Sequence, residues 1–206
     1  MKNMHWYFIV AMILMVTLSM GFNQSQFDSK GINSATRNEE MQKKSLEAFD
    51  QMMQVVAHKR CVNCHPSGEK PNQGEDSHAH LFEVQRGDDG HGVAAVKCNT
   101  CHQSENNNFS GVPGAPHWHL APRSMGWEGL SKIEIAQAMT DPIKNGGRNI
   151  QEIEKHLTED PLVLWAFKPG VNHAGIEREK PPISKEAYIA AVKQWIKNGA
   201  HIPASE

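Results

Sequence analysis

The chain carries CVNCH at residues 61–65 and CNTCH at residues 98–102, and these two stretches use all four of its cysteines. One turn of backbone between the cysteines brings two thiols side by side, and the next residue is an imidazole. Cys-x-x-Cys-His is the attachment pattern of c-type haem: Cys61 and Cys64, or Cys98 and Cys101, bind the haem edge, and His65 or His102 comes under the iron. Two Cys-x-x-Cys pairs also suit a structural zinc site, which leaves both histidines unexplained. A pair of disulfides fits an exported chain, although such tight loops are usually redox-active. A thioredoxin-like site needs one pair in a βαβ context, which is absent. The repeated motif favours two covalent haem c groups, each with its iron.

A single exported domain is consistent with the rest of the chain. It has 206 residues, a formal net charge of −2, 39% hydrophobic residues and 7% aromatic ones. With no basic surplus, nucleic acid is not an expected partner. An apolar run from Trp6 to Met20 follows Lys2 and is shorter than the ~20 residues of a bilayer span. Residues 1–22 therefore read as a signal peptide or an N-terminal membrane anchor, which places the domain in the periplasm. Residues 23–40 are polar and read as a linker, and residues 41–206 as the haem-carrying domain.

The expected fold class is mainly α: a small cytochrome c-like helical domain whose long loops are organised around two haems. Leu46, Phe49, Met53 and Val56 recur at helical spacing ahead of Cys61. Ser131 with Glu134, and Asn149 with Glu152, have capping-box spacing, and Asp160-Pro161 suits a further helix start. Tyr188, Val192, Trp195 and Ile196 share one face of a last helix that Gly199 ends. Residues 66–123 are rich in Gly, Pro, Asn, Ser and His without periodic structure, and a loop of that length needs something to organise it. No β-hairpin signal of comparable strength is present.

The sixth iron ligand decides whether a haem carries electrons or binds small molecules. An H-x-H pair follows each motif at a similar distance, His78 and His80 after His65, and His117 and His119 after His102. Each pair can close over its own haem or cross to the other. Met125 competes for the second haem. His58, His91, His156, His173 and His201 carry no spacing that singles them out, and they read as surface or hydrogen-bonding residues. Arg86 and Arg123 follow the two pairs and are candidates for haem propionates, with a solvated surface role as the alternative. Trp118, between two candidate ligands, is placed to pack on a haem.

The strings RCVNCHP, HLFEVQRGDDGHG (80–92), CNTCHQ, PGAPHWHLAP (113–122), MGWEG (125–129), DPIKNGGR (141–148) and DPLVLWAFKPG (160–170) resemble a family of bacterial di-haem cytochromes labelled isoquinoline 1-oxidoreductase subunits. The resemblance implies a periplasmic electron-transfer subunit serving a molybdenum hydroxylase-type dehydrogenase and passing electrons to a downstream cytochrome or oxidase. It also implies His80 and His119 as the sixth ligands. Six-coordinate haems leave no open site, so the protein itself is expected not to be an enzyme. The competing expectation is a peroxidase-like di-haem enzyme with one open iron, served by His91 and Glu83.

Overall fold

The computed structural model describes residues 34–205, so the expected export segment (1–22) lies outside the described residues. The chain divides into two units, residues 1–43 and 44–206. In the first, the described residues are helical and exposed. Helical conformation thus already covers residues 34–40, which composition assigns to the linker.

The second unit is mainly α-helical. Its helices are α1 (residues 34–56, of which 44–56 lie in this unit), α2 (Lys59–Val62), α3 (Lys132–Thr140), α4 (Ile150–Glu159), α5 (Pro161–Leu164) and α6 (Lys185–Lys197). Local chemistry fixes where these helices start. Ser131 accepts from Glu134 N at 3.2 Å and its own N–H donates to the Glu134 carboxylate at 2.8 Å. Asn149 and Glu152 repeat the arrangement on α4. Asp160 caps α5 by accepting from Leu162 N at 2.9 Å, with Pro161 in the first turn where its missing N–H costs nothing. Ser184 caps α6.

The core is the meeting of the apolar faces of α1, α3, α4 and α6. Phe49, Met52, Met53, Ile135, Tyr188, Val192 and Trp195 are almost completely buried there. Hydrogen bonds close the junction of α1 and α6. The buried Ser45 hydroxyl donates to Trp195 O at 3.1 Å and accepts from His201 N at 2.9 Å, while the Trp195 indole donates to His201 O at 2.9 Å.

Between α2 and α3 the chain is loop, interrupted by two short antiparallel ladders that the sequence did not announce. Asn72–Gln73 pairs with His78–Ala79, and Gly92–Val93 pairs with Val96–Lys97. Polar side chains tie the loop together. The buried Arg86 guanidinium donates to Pro66 O at 2.7 Å, to Gly68 O and to Ala121 O. Asn106 accepts from Trp165 Nε1 and Gly114 N and donates to Lys168 O, joining the loop to the residues after α5.

Candidate functional site

The first motif begins on α2, and its backbone continues as tight turns, Cys64 N to Cys61 O at 3.0 Å and His65 N to Val62 O at 2.9 Å. Both thiols therefore face one way. Residues 121–127 are stitched to this turn: Ala121 N donates to Cys64 O and Trp127 N to His65 O. The His65 Nδ1–H donates to Met125 O at 2.8 Å, which leaves Nε2 as the free nitrogen. Trp127 lies flat on the imidazole. Burial pushes the Cys61 thiol up to about 12 and the Cys64 thiol to about 11, and drives His65 down to about 3. Near neutral pH the thiols are protonated and the imidazole is neutral, which is its ligand form.

Cys61, Cys64 and His65 open on a cavity of about 120 Å³. Ile153, Leu157, Leu162 and Val163 give the cavity an apolar lining from α4 and α5. The Tyr188 hydroxyl and the Trp127 indole nitrogen are buried on the cavity wall without a hydrogen-bond partner. Buried polar groups are nearly always paired, so the wall suits an occupant that brings its own acceptors. A haem, apolar in the ring and carboxylated at one edge, meets both conditions.

The second motif repeats the arrangement in a more open place. The ladder of Val96–Lys97 delivers Cys98, a 3₁₀ turn follows, and His102 N donates to Cys98 O at 3.0 Å. The His102 Nδ1–H donates to Pro113 O at 2.7 Å, again leaving Nε2 free. Trp118 lies flat on this imidazole, with ring centres 4.5 Å apart and planes 7° apart. Burial lowers the His102 pKa and raises that of Cys98, whereas Cys101 is exposed. The two motifs are neighbours, since Cys98 contributes to raising the Cys64 pKa.

One histidine of each H-x-H pair lies near the other motif. His80 stands beside His102, with ring centres 6.1 Å apart and planes at 72°, and its Nδ1–H donates to Leu81 O. His119 lines the cavity of the first motif; its Nδ1–H donates to His117 O and its ring stacks on His91 at 4.9 Å. His78 is committed elsewhere, with Nδ1 on Asp76 at 2.6 Å and Nε2 on Gln73 at 3.0 Å. His117 is exposed and has φ +57°, a turn that presents its carbonyl to His119. Ser77, Phe82 and Glu83 also hold positive φ around His78 and His80. Such strained non-glycine backbone gathers at ligand clamps.

Several residues lie elsewhere than expected. Met125 was set against the second haem, but its carbonyl supports His65 and its side chain lines the first cavity. Arg86 was a propionate candidate; its guanidinium is occupied by loop carbonyls, as described above. Arg123 pairs with Glu69 at the surface. Trp118 packs on the His102 imidazole. The cations that do line the first cavity are Arg60, which is ion-paired with Glu75, and Arg148. Sequence reasoning also missed His156, which lines the same cavity with Nδ1 on the Asp160 carboxylate at 3.0 Å. The available signal was its place at helical spacing between Ile153 and Leu157. Among the described residues no group of three or more His, Cys, Asp or Glu is placed to hold a metal ion.

Residues 20–92 match a family model described as cytochrome c554 and c-prime. No curated protein and no solved structure matches the chain. The matched span includes the first motif and both His78 and His80, and ends before Cys98. It supports a c-type cytochrome, a haem-binding protein whose class works in electron transfer with redox partners. It does not reach the narrower group of isoquinoline 1-oxidoreductase subunits.

Proposed function

We propose that the protein is an exported, periplasmic di-haem cytochrome that carries single electrons from a dehydrogenase, of the molybdenum hydroxylase type, to a downstream cytochrome or oxidase. The observation that carries the two-haem reading is the paired geometry of the motifs. Each motif imidazole has Nδ1 fixed by a backbone carbonyl, at 2.8 and 2.7 Å, and a tryptophan stacked on its face. A metal-bound imidazole is oriented in this way by its second nitrogen. When bound, haem supplies reversible one-electron chemistry at iron.

The chain's own residues hold and shield the groups. Cys61 and Cys64, and Cys98 and Cys101, supply the sulfurs; His65 and His102 supply the near ligands. His80 supplies the far ligand of the second haem, crossing from the loop after the first motif. The apolar wall of α4 and α5 keeps water from the first haem. Cys101, at the surface, marks the second as the haem nearer to a docked redox partner. The molybdenum hydroxylase assignment rests on the sequence resemblance alone.

The test is to express the chain with a c-type maturation system, purify the exported protein, and count covalent haem by intact mass and haemochrome absorbance. Two haems per chain are expected, with low-spin spectra in both redox states and reduction by a periplasmic dehydrogenase. One haem per chain, or none, overturns the reading.

A further inference from the structure

We infer that His156, held by Asp160, is the sixth ligand of the iron at the first motif; the inference rests on the two-haem reading above. A sixth ligand must come from the wall that faces His65. The wall behind His65 is accounted for, because residues 121–127 are bonded to Cys64 O, to His65 O and to the His65 ring nitrogen. The rest of the lining comes from helices α1 to α6, the turn before α4 and His119.

Besides His65, the imidazoles lining the cavity are His119 and His156. His119 is tied to the first motif through its neighbours in sequence. It precedes Leu120 and Ala121, whose N–H groups are pinned to Gly90 O at 2.9 Å and Cys64 O at 3.1 Å, so it is carried by the block that carries His65. Its ring also lies against His91, with planes 16° apart.

His156 projects from the α4–α5 wall. Ile153, His156 and Leu157 stand at i, i+3 and i+4 on one face of a helix, and all three line the cavity. Its orientation is fixed from behind: Asp160 Oδ2 accepts from Nδ1 at 3.0 Å, and Asp160 Oδ1 accepts from Leu162 N at 2.9 Å. Both carboxylate oxygens are engaged, so the imidazole tautomer with a bare Nε2 is selected. A carboxylate behind a ligating histidine is the usual outer-shell arrangement for metal-bound imidazole. Asp160 is accordingly a positioning residue, acting through His156.

The holoprotein tests this by spectroscopy. In His156→Ala, still carrying two covalent haems, roughly half of the low-spin EPR intensity is expected to become high-spin, and the reduced protein should bind about one carbon monoxide per chain. His119→Ala should keep both haems low-spin. Two low-spin haems in His156→Ala, or a haem opened by His119→Ala instead, overturns the assignment. Should the alanine variant not fold, His156→Met gives a second readout: one haem acquires methionine ligation and a raised potential, and an unchanged spectrum overturns the proposal. Asp160→Asn should keep the ligand but shift the g-values and potential of that haem, and let added imidazole displace His156 roughly 10–100-fold more readily. An unshifted haem in that variant removes Asp160 from the assignment. A wild-type chain with fewer than two covalent haems refutes the two-haem reading itself, a result that the haem count distinguishes from a wrong ligand.

Discussion

Trp127 lies flat against the His65 imidazole, with ring centres 3.4 Å apart and planes 13° apart, and its own backbone N–H holds His65 O at 2.8 Å. The indole is 4% exposed and joins the core cluster of Phe49, Met53 and Val192. Trp127→Ala removes this contact and leaves a void, so a loss of about 3–5 kcal/mol is expected. Trp118→Ala, at the more open second motif, should cost less. Guanidinium unfolding of the two holoproteins checks the order; an equal loss would mean that the second site is packed as tightly as the first.

The buried Arg86 joins residues 66–68 to Ala121 through carbonyls alone. Arg86→Ala leaves the buried Pro66 carbonyl unsatisfied at a cost of ~1–3 kcal/mol, with smaller losses at Gly68 and Ala121, which water can reach. Arg86→Lys should recover little, because an ammonium cannot reproduce the planar fork. Arg123→Ala, at the surface, should stay within about 0.5 kcal/mol of wild type. Melting temperatures of the three variants test this, and rescue by lysine would refute the geometric argument.

Acid should weaken the α4–α5 corner. The hydrogen bond from His156 is the first cause holding the half-buried Asp160 carboxyl below its usual range. A depressed carboxylate contributes stability above its unfolded value, about 3.9, and that contribution is lost as pH falls through the folded value. Asp160→Asn keeps a side-chain helix cap but does not ionise. Urea midpoints measured from about pH 6 down to about pH 3 should therefore fall less steeply for Asp160→Asn than for wild type.

On the two-haem reading, reduction should proceed in two steps. The first motif opens on an apolar cavity, while the second has Cys101 at the surface. Burial disfavours the more charged ferric state, so the haem at His65 should be the first to reduce as the potential is lowered. Optical redox titration of wild type and of a variant with one haem opened assigns the steps. A higher potential at the second motif would show that axial ligands or neighbouring charges outweigh burial.

What the sequence disclosed was local. The capping pairs Ser131–Glu134 and Asn149–Glu152 and the Asp160-Pro161 start depend on residues a few positions apart, and all are where the spacing put them. What it concealed depends on approach between distant segments. Nothing near Arg86 says that Pro66 and Ala121 will bring carbonyls to it, so an interior clamp read as a propionate partner. His156 looks like any residue of an amphipathic helix until α4 is set against the first motif. Spacing likewise left open which motif each H-x-H pair approaches, because a loop of a dozen residues is long enough to reach either one.

The hydrogen bonds of Ala121 to Cys64 O and of Leu120 to Gly90 O have a further consequence, for modularity. They fasten the stretch after the second motif to residues that precede it. The carbonyl behind His65 comes from Met125, and the imidazole beside His102 comes from His80. A chain divided between the motifs would therefore not yield two smaller cytochromes. One fragment would lose the carbonyl behind His65 and the other the ring beside His102, so each half is scaffolding for its sibling.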